Sequence, residues 1–339
     1  MLKTTSELTE FMTRPSARLV EDLKRLKGDI MILGAGGKVG PAMAVLAKRG
    51  IEAAGTGAKV YAASLFDRPD APDTMRSAGV EVIEADLSDP KQLAALPEAE
   101  NIIFMVGKKF GTEGNESLTW HINVILPYLA AERFPRSRIV AFSTGNVYGM
   151  APVVSGGFCE DDVPHPIGEY AETCLGRERI LEHCSVQNQT PMLIFRLNYA
   201  IDLRYGVLYD IANAIVEGRP IDVSQGVFNC IWQGDVCEFA IRSLLRTAVP
   251  PEKLNVSSPE AISIRWAAKE LGKRLGKEPT FTDEEVQSAL FSNCQKMVRM
   301  MGAPSVGILE LIDMVAQWVQ QGGEVISAPT HFETTNGTY

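Results

Sequence analysis

Apolar runs and amphipathic stretches alternate along the chain between residues 29 and 198. Short continuous apolar runs are typical of strands buried on both faces, and helical spacing of apolar residues separates most of them. The predicted strands cover residues 29–34, 58–64, 80–86, 101–106, 138–144 and 191–198. Helices are predicted near residues 70–78, 90–96, 117–134 and 168–186. This alternation predicts an α/β fold, a doubly wound parallel sheet whose ligand crevice lies at the carboxyl ends of the strands.

The pattern changes on both sides of this region. Residues 16–27 predict an amphipathic helix before the first strand, within an N-terminal helical extension that we place at residues 1–28. Beyond residue 200 the alternation loosens into helices near residues 206–217, 235–247, 262–276 and 306–321. We therefore expect a Rossmann-type domain at 29–200, with 228–258 returning to it, a smaller C-terminal substrate-binding cap at 201–227 and 259–322, and a mobile tail at 323–339.

Composition narrows the partners that this chain is expected to have. Its 339 residues carry a formal net charge of −9 without a Lys/Arg-rich block, so nucleic acid is not expected to bind. No apolar run reaches the roughly 18 residues that span a bilayer, and the charged N-terminus does not resemble a signal peptide. The six cysteines and four histidines have no metal-ligand spacing. We expect a cytoplasmic protein with reduced thiols, no membrane partner and no metal.

A glycine-rich turn, GAGGKVG, joins the first predicted strand to a helix. Glycine permits a tight turn and close approach of the backbone, and the helix N-terminus offers unpaired N–H groups, so such a turn can bind a dinucleotide diphosphate. The residues predicted to bind it are Gly34, Gly36, Gly37, Lys38, Val39 and Gly40. A glycine turn without a ligand is the alternative, but the position between strand and helix favours the nucleotide site.

The end of the second predicted strand is where the adenosine ribose is expected. Ser64 and Arg68 would suit the 2′-phosphate of NADP, whereas Asp67 would suit the free 2′-hydroxyl of NAD. The sequence therefore leaves NAD or NADP open. Asp86, which closes the third strand, is placed to meet the adenine amine or to cap the following helix.

Further motifs follow in a fixed order along the chain. They are Asp86-Leu87, Asn123, STGNVYG at 143–149, Tyr170 with Glu178, RLN at 196–198, CIWQGDV at 230–236 and the strand and helix of 254–276. With the glycine turn, they make residues 29–322 resemble the extended short-chain dehydrogenases/reductases, the NAD-dependent epimerase/dehydratase group. The resemblance implies an NAD(P)-dependent oxidoreductase or epimerase that acts on a hydroxyl or carbonyl of a sugar or sugar nucleotide, and a homodimer. Further cofactor-binding residues that it implies are Leu87, Val106, Gly107, Asn123, Tyr170 and Asn198.

The resemblance also assigns the catalytic residues. It gives Thr144 the role of holding the substrate oxygen and Tyr170 the role of proton transfer, but the lysine of the family's YxxxK motif is replaced by Cys174. A tyrosine with an ordinary pKa of about 10 is a poor base near neutrality without a nearby cation, and a thiol supplies none. The alternative function is therefore a catalytically degenerate NAD(P)-binding protein with a structural or regulatory role.

Several residues are candidates to replace the missing charge. Arg177 lies on nearly the same helical face as the tyrosine, but about 10 Å along the helix axis, which is a long reach. Lys108 and Lys109 leave the fourth strand at the carboxyl edge, although such a pair is more often a solvated turn. Lys109 or Glu172 would serve as a relocated acid/base group. Arg196, after the sixth strand, either contacts ligand or forms an ion pair between sheet and cap.

Overall fold

The computed structural model describes residues 2–67, 70–282, 284–326, 330–334, 336 and 337. Its strands are β1 (Ile30–Leu33), β2 (Val60–Ser64), β3 (Glu81–Glu84), β4 (Asn101–Phe104), β5 (Arg138–Thr144), β6 (Ala151–Pro152), β7 (Met192–Leu197), β8 (Ala200–Ile201), β9 (Ile221–Asp222), β10 (Val227–Phe228), β11 (Ile231–Trp232), β12 (Glu252–Val256), β13 (Ile262–Ser263), β14 (Phe281–Thr282) and β15 (Ser288–Ala289). Its helices are α1 (Thr5–Met12), α2 (Ala17–Arg25), α3 (Gly40–Ala54), α4 (Asp70–Ser77), α5 (Pro90–Ala95), α6 (Glu116–Trp120), α7 (Leu126–Arg133), α8 (Gly168–Asn188), α9 (Val207–Glu217), α10 (Gln233–Ser243), α11 (Ile264–Leu275), α12 (Gln295–Met301) and α13 (Ile308–Gln320). A π turn, His121–Ile125, joins α6 to α7.

Seven strands form one parallel sheet in the order β12-β7-β5-β4-β1-β2-β3. Every residue of β1 and β4 is buried, because helices cover both faces of the sheet. The predicted doubly wound α/β fold is confirmed. Strands β2 and β4 lie on opposite sides of β1, so the strand order reverses there. The carboxyl ends of these strands form the switch point where a crevice is expected.

The six predicted strands correspond to β1–β5 and β7, and β12 adds a seventh strand beside β7. The N-terminal region differs from its prediction, because it contains two helices, α1 and α2, where one was expected. A capping box begins α1: Glu7 N donates to Thr4 Oγ1 and Thr4 N donates to the Glu7 carboxylate, both at 3.2 Å. The T-x-x-E spacing is a sequence signature of a helix N-terminus, which the apolar periodicity alone does not show.

A second hydrophobic core lies in the segments assigned to the cap. Helices α9, α11 and α13 pack together around it, and α1 adds two buried side chains, Leu8 and Met12. The N-terminal extension therefore packs against the C-terminal part of the chain as well as against α3 through α2.

The described residues after α13 contact the rest of the protein, and the mobility expected for residues 323–339 stays a prediction. Thr330 N donates to the Asp210 carboxylate at 2.9 Å, and Gln225 Nε2 donates to Phe332 O at 2.7 Å. Gly337 lies so close to the start of α8 that a Cβ on Gly168 would be 2.6 Å from its carbonyl oxygen. These contacts place this segment between the cap and α8.

A buried ion pair fixes α8 to the sheet. Arg196 of β7 donates from Nε and Nη2 to the Glu178 carboxylate at 3.0 and 2.6 Å, and both side chains are at most 1% exposed. Ser143 of β5 donates to the same carboxylate at 2.6 Å. The expected ion pair of Arg196 therefore exists but runs to α8 and not to the cap, because Glu178 faces the sheet from the helix.

We expect Glu178→Ala to lower the free energy of unfolding by about 3–5 kcal/mol, because it leaves the Arg196 charge buried without its partner. Urea denaturation followed by circular dichroism measures the loss. Glu182→Ala is the control, since Glu182 pairs with Lys253 where both side chains are about a quarter exposed, and its loss should stay below about 1 kcal/mol. Equal losses in the two variants would contradict a dominant role for the buried pair.

Candidate active site

A crevice with two adjacent lobes lies at the carboxyl ends of the sheet strands. The turn lobe, about 400 Å³, is lined by the glycine turn and the ends of β2, β3 and β4. The tyrosine lobe, about 280 Å³, is lined by the ends of β5 and β7, by α8 and by residues of the cap. Met105 and Gly107 line both lobes, so the two lobes are adjacent.

Most of the predicted site residues line this crevice. The turn lobe is lined by Gly34, Gly36, Gly37, Ser64, Asp67, Asp86, Leu87, Val106 and Gly107. The tyrosine lobe is lined by Lys38, Val39, Thr144, Tyr170 and Asn198. Arg68 lies outside the described residues. Gly40 and Asn123, although described, line neither lobe.

The glycine turn gives the turn lobe a floor of backbone. Gly34 has φ +88°, a left-handed conformation that favours glycine, and a Cβ there would lie 2.8 Å from Val106 N. A Cβ on Gly36 would lie 2.8 Å from Ser64 Oγ. Val39, the N-cap of α3, makes no side-chain hydrogen bond to the first helical turn. This side chain therefore does not cap the backbone N–H groups of that turn. An anion bound at a helix N-terminus would use those groups.

Two residues predicted to bind cofactor have other roles in the structure. Gly40 begins α3, and a Cβ there would lie 2.2 Å from Ala35 O, so this glycine permits close packing of the helix on the turn. Asn123 is fully buried, and its side chain bonds Lys108 N and O, Arg177 Nη2 and Thr173 Oγ1 at 2.8–3.0 Å. Its amide group is used by protein partners, so it holds the loop after β4 against α8.

Thr144 and Tyr170 come together in the tyrosine lobe. Thr144 ends β5 and Tyr170 lies in the first turn of α8, and both side chains line this lobe as neighbours. Thr144 Oγ1 also donates to Asn146 Oδ1 at 2.8 Å and accepts from Asn146 N at 3.2 Å. These bonds fix the threonine hydroxyl beside the phenol, where one substrate oxygen can reach both.

The environment of Tyr170 favours its neutral form. Burial raises the pKa of Tyr170 well above its usual value of 10, and the nearby Cys174 thiol raises it further. The Arg177 guanidinium and the neighbouring Thr144 hydroxyl oppose this shift. Burial also raises the pKa of the Cys174 thiol, which packs against Val147 and Tyr148. Cys174, which replaces the family's lysine, therefore gives Tyr170 an uncharged, apolar neighbour.

Arg177 supplies positive charge to the lobe, which corrects the expectation that its reach is too long. Its Nη1 donates to Phe142 O and its Nη2 to Asn123 Oδ1, both at 2.8 Å, and the side chain lines the tyrosine lobe. Helical side chains lean toward the N-terminus of their helix, which shortens the distance back to Tyr170.

Lys109 is the second cation of the tyrosine lobe. Its Nζ donates to Thr330 O at 3.4 Å, and burial, together with the charge of Lys38, lowers its pKa to about 8. Lys108 does not line either lobe, and Glu172 is exposed on α8. Of the candidates for a relocated acid or base, Lys109 is the one that lines the same lobe as Tyr170.

Sequence reasoning missed several lining residues that arrive from distant segments. Tyr205 lies in the segment assigned to the cap, Gln233 is the first residue of α10, and Thr330 lies in the C-terminal segment. Gln233 lies in CIWQGDV, a segment that resembles the family but in which the sequence assigns no residue a function. The other two sit in segments without a motif, so only the tertiary structure brings them to the lobe.

Comparison with known proteins identifies the class. Residues 30–223 match the model of the NAD-dependent epimerase/dehydratase family, so the chain belongs to that family, as the sequence motifs predicted. No curated protein gave a significant sequence match. Within the described residues, no helix has the length and apolar character to span a membrane, and no group of three His, Cys, Asp or Glu side chains is placed to hold a metal ion.

Solved structures share the fold at low sequence identity. UDP-glucuronic acid 4-epimerase from Bacillus cereus, in complex with NAD, is 16% identical with a TM-score of 0.71 over 86% of this chain and 99% of that one. UDP-glucose 4-epimerase from Thermotoga maritima, with UDP-glucose, is 16% identical with a TM-score of 0.68 over 87% and 99%. The RMD protein from Pseudomonas aeruginosa, complexed with NADPH, is 17% identical with a TM-score of 0.64 over 87% and 100%.

We expect Lys109→Met to raise the free energy of unfolding at pH 7 by about 1–3 kcal/mol, since each pKa unit corresponds to about 1.4 kcal/mol. The folded pKa of about 8 lies below the ordinary 10.5, so folding disfavours the charged form. The penalty is complete below pH 8 and declines as the pH rises toward 10.5, and the gain from the substitution should decline with it. Urea denaturation at a series of pH values measures this, with Lys108→Met as the control. A gain that does not change with pH would contradict the depressed pKa.

Proposed function

We propose that this protein binds NAD or NADP across the two lobes and oxidises or reduces a hydroxyl or carbonyl of a sugar or sugar nucleotide, as a dehydrogenase or an epimerase. The observation that carries this proposal is that Thr144 and Tyr170 line one lobe, which shares Met105 and Gly107 with the lobe at the glycine turn. Membership of the NAD-dependent epimerase/dehydratase family supports it.

The residues of the turn lobe fit a dinucleotide. The backbone floor at Gly34, Gly36 and Gly37 and the N-terminus of α3 at Lys38 and Val39 would take the diphosphate. Ser64 and Asp67 would lie near the adenosine ribose, Asp86 and Leu87 near the adenine, and Val106, Gly107 and Asn198 toward the nicotinamide. Similar structures include a complex with NAD and a complex with NADPH, so they support either cofactor. They do not decide between NAD and NADP for this chain.

The tyrosine lobe would contribute proton transfer and orientation. A bound nicotinamide supplies the site that accepts or donates hydride. Thr144 would hold the reacting oxygen of the substrate by a hydrogen bond, and Tyr170 would exchange a proton with that oxygen. Because the pKa of Tyr170 is raised, its hydroxyl stays protonated near neutrality and is suited to donate, whereas removing a proton from substrate needs the positive charges of Arg177 and Lys109.

The substrate class rests on the similar structures. Their titles name UDP-glucuronic acid and UDP-glucose epimerases, which supports a carbohydrate-like small molecule for this chain. The second candidate function is an NAD(P)-binding protein without catalysis, with a structural or regulatory role. It is favoured by Cys174, which puts an uncharged thiol against the phenol that the reaction requires.

We also propose a homodimer and a cytoplasmic location. Four apolar side chains of the α6–α7 segment are 37–46% exposed, namely Leu118, Trp120, Ile125 and Tyr128. This segment packs against α8 with its other face, so pairing of two copies would cover the exposed side chains. All six cysteines are free thiols, which is typical of a reducing compartment.

Tyr170→Phe should reduce turnover by about 10²–10⁴-fold, the range for loss of general acid/base catalysis, and leave cofactor affinity unchanged. Absorbance of the reduced nicotinamide with a panel of sugars and UDP-sugars measures net oxidation or reduction, chromatography of the sugar products measures epimerisation, in which the cofactor is regenerated, and the fluorescence of NADH or NADPH measures binding. Turnover that survives unaltered would exclude Tyr170 from the reaction. Binding by the wild-type protein without turnover on any member of the panel would favour the non-catalytic alternative.

A second variant separates the two candidate functions. Cys174→Lys places an ammonium beside the phenol, which lowers the tyrosine pKa and should move the pH profile of substrate oxidation toward neutrality. Cys174→Met, which adds length without charge, is the matched control. An unchanged profile and unchanged cofactor affinity in the lysine variant would place position 174 outside the reaction.

Ile125→Asp should convert the dimer to a monomer, because it buries a charge at the proposed contact. Sedimentation velocity measures the assembly state. Val154→Asp is the control, since Val154 is 92% exposed on a short turn that belongs to none of the helices α6, α7 and α8. A monomeric wild-type protein, or an Ile125→Asp protein that still pairs, would contradict the proposed contact.

A further inference from the structure

A buried pair of asparagines lies beside the end of β7. Asn198, which follows β7, is 2% exposed, and Asn229, which lies between β10 and β11, is 1% exposed. Asn198 Nδ2 donates to Asn229 Oδ1 at 3.2 Å. Asn198 lines the tyrosine lobe and Asn229 lines neither lobe, so Asn229 can act on a bound ligand only through Asn198.

The backbone around Asn229 decides which way its amide group points. Asn229 Nδ2 donates to Ser292 O at 2.8 Å and to Ser258 O at 3.1 Å. A carbonyl oxygen accepts hydrogen bonds and cannot donate them, so the nitrogen of the amide must face these two atoms. The oxygen of Asn229 is then left on the other side, toward Asn198 and toward Ser292 N at 3.5 Å.

The orientation of Asn229 fixes that of Asn198. Because an oxygen faces Asn198, its amide must turn the nitrogen toward that oxygen, since two facing amide oxygens would leave both without a donor. The backbone of Asn198 is held as well: its N donates to Val256 O at 2.9 Å, and Ser257 Oγ donates to its O at 3.2 Å. The side-chain oxygen of Asn198 therefore has a fixed place and direction.

This oxygen, Asn198 Oδ1, lies at the end of β5, next to Thr144. A Cβ on Gly145 would lie 2.3 Å from it, so the amide occupies the space over a residue without a side chain. Among the residues that the structure describes, none donates a hydrogen bond to Asn198 Oδ1. A largely buried acceptor without a donor costs free energy, so a ligand that supplies a donor at this point is favoured.

We propose that Asn229 is a positioning residue that holds Asn198 with Oδ1 toward the tyrosine lobe, where it accepts a hydrogen bond from the carboxamide N–H of a bound nicotinamide. The inference rests on the proposed function, which places Asn198 toward the nicotinamide. It goes further because it assigns an acceptor, and not a donor, to this point of the lobe, and assigns the direction of that acceptor to Asn229. An acceptor selects an N–H group and disfavours a carbonyl oxygen in the same place.

Calorimetric titration of the full-length protein tests the acceptor without turnover. The probes are NAD, NADP and the 3-acetylpyridine analogue of each, in which a methyl group replaces the amino group of the carboxamide and the carbonyl oxygen is kept. The wild-type protein should bind the carboxamide cofactor about 3–10-fold more tightly than its analogue, the value of one hydrogen bond. Asn198→Leu, which removes the acceptor, should abolish this preference.

Two variants at position 229 separate positioning from stability. Asn229→Leu removes the oxygen that faces Asn198, so the preference should fall below about twofold, because Asn198 is then free to present either atom. Asn229→Asp keeps an oxygen toward Asn198 and should keep the preference. It also turns an oxygen toward Ser258 O and Ser292 O, so urea denaturation should show a loss of stability at least as large as in the leucine variant. A residue that acted through stability alone would lose the preference in both variants.

Ser292→Ala is the matched control. Within the described part of the chain Ser292 Oγ has no hydrogen-bond partner, and the bonds of Asn229 run to the backbone of Ser292. This variant therefore changes a neighbour of Asn229 without removing any of its bonds, and it should keep the preference. Should Asn229→Leu not yield folded protein, the smaller Asn229→Ala takes its place.

Three results would overturn the proposal. The first is equal binding of each cofactor and its analogue by the wild-type protein. The second is a preference that is unchanged in Asn198→Leu or in Asn229→Leu. The third is an equal loss of preference in Asn229→Leu and Asn229→Asp, which would assign Asn229 a structural role alone.

The same titrations separate this inference from the proposed function. A preference that depends on Asn198 and Asn229 in a protein without turnover would support the inference while the proposed reaction fails. Turnover by a protein without the preference would support the reaction and overturn the inference. A protein that binds neither NAD nor NADP would overturn both.

Discussion

The buried ion pair between Glu178 and Arg196 is the interaction on which the geometry of the crevice depends. Taking two charges out of water is costly, and the pair is stable because every contact has good geometry and Ser143 adds a hydrogen bond to the carboxylate. The bonds join α8 to β7 and β5 about two helical turns beyond Tyr170. A shift of α8 along the sheet would break all of them together. The phenol therefore keeps its place beside Thr144, the last residue of β5, through an ion pair whose two members do not line the crevice.

The same burial determines how charge behaves in the tyrosine lobe. It raises the pKa of Tyr170 and lowers that of Lys109, so each group is shifted toward its neutral form. A lobe of this kind disfavours an isolated charge of either sign, and an opposite charge nearby favours the charged form of a group in it. Arg177 is the exception, because three oxygen atoms, two of Asn123 and one of Phe142, accept its hydrogen bonds. The ionisation of the other two groups then depends on what charge a ligand brings.

Much of this arrangement was predictable from the sequence, and the limits have physical reasons. Strands buried on both faces leave a continuous apolar signal, so β1–β5 and β7 were found, and the glycine turn marked the first crossover. Thr144 and Tyr170 were placed by motifs at fixed offsets. The reach of Arg177 was misjudged because spacing along a helix gives the position of Cα and not the direction of a long side chain. Tyr205 and Thr330 could not be found at all, since long-range packing brings them to the lobe.

The substitution at position 174 changes packing as well as charge. Cys174 is 1% exposed and packs with Val147 and Tyr148, and it does not line the tyrosine lobe. A lysine at this place would be fixed by the helix at one distance from Tyr170. In this protein the cation that acts on the phenol is Arg177, farther along the same helix, and a further lysine, Lys109, lines the lobe from the loop after β4. The backbone of that loop is bonded to Asn123, and Lys109 is bonded to Thr330 of the C-terminal segment. The position of the Lys109 charge is therefore coupled to the contact between that loop and the C-terminal segment, and any ligand that separates the two also moves that charge.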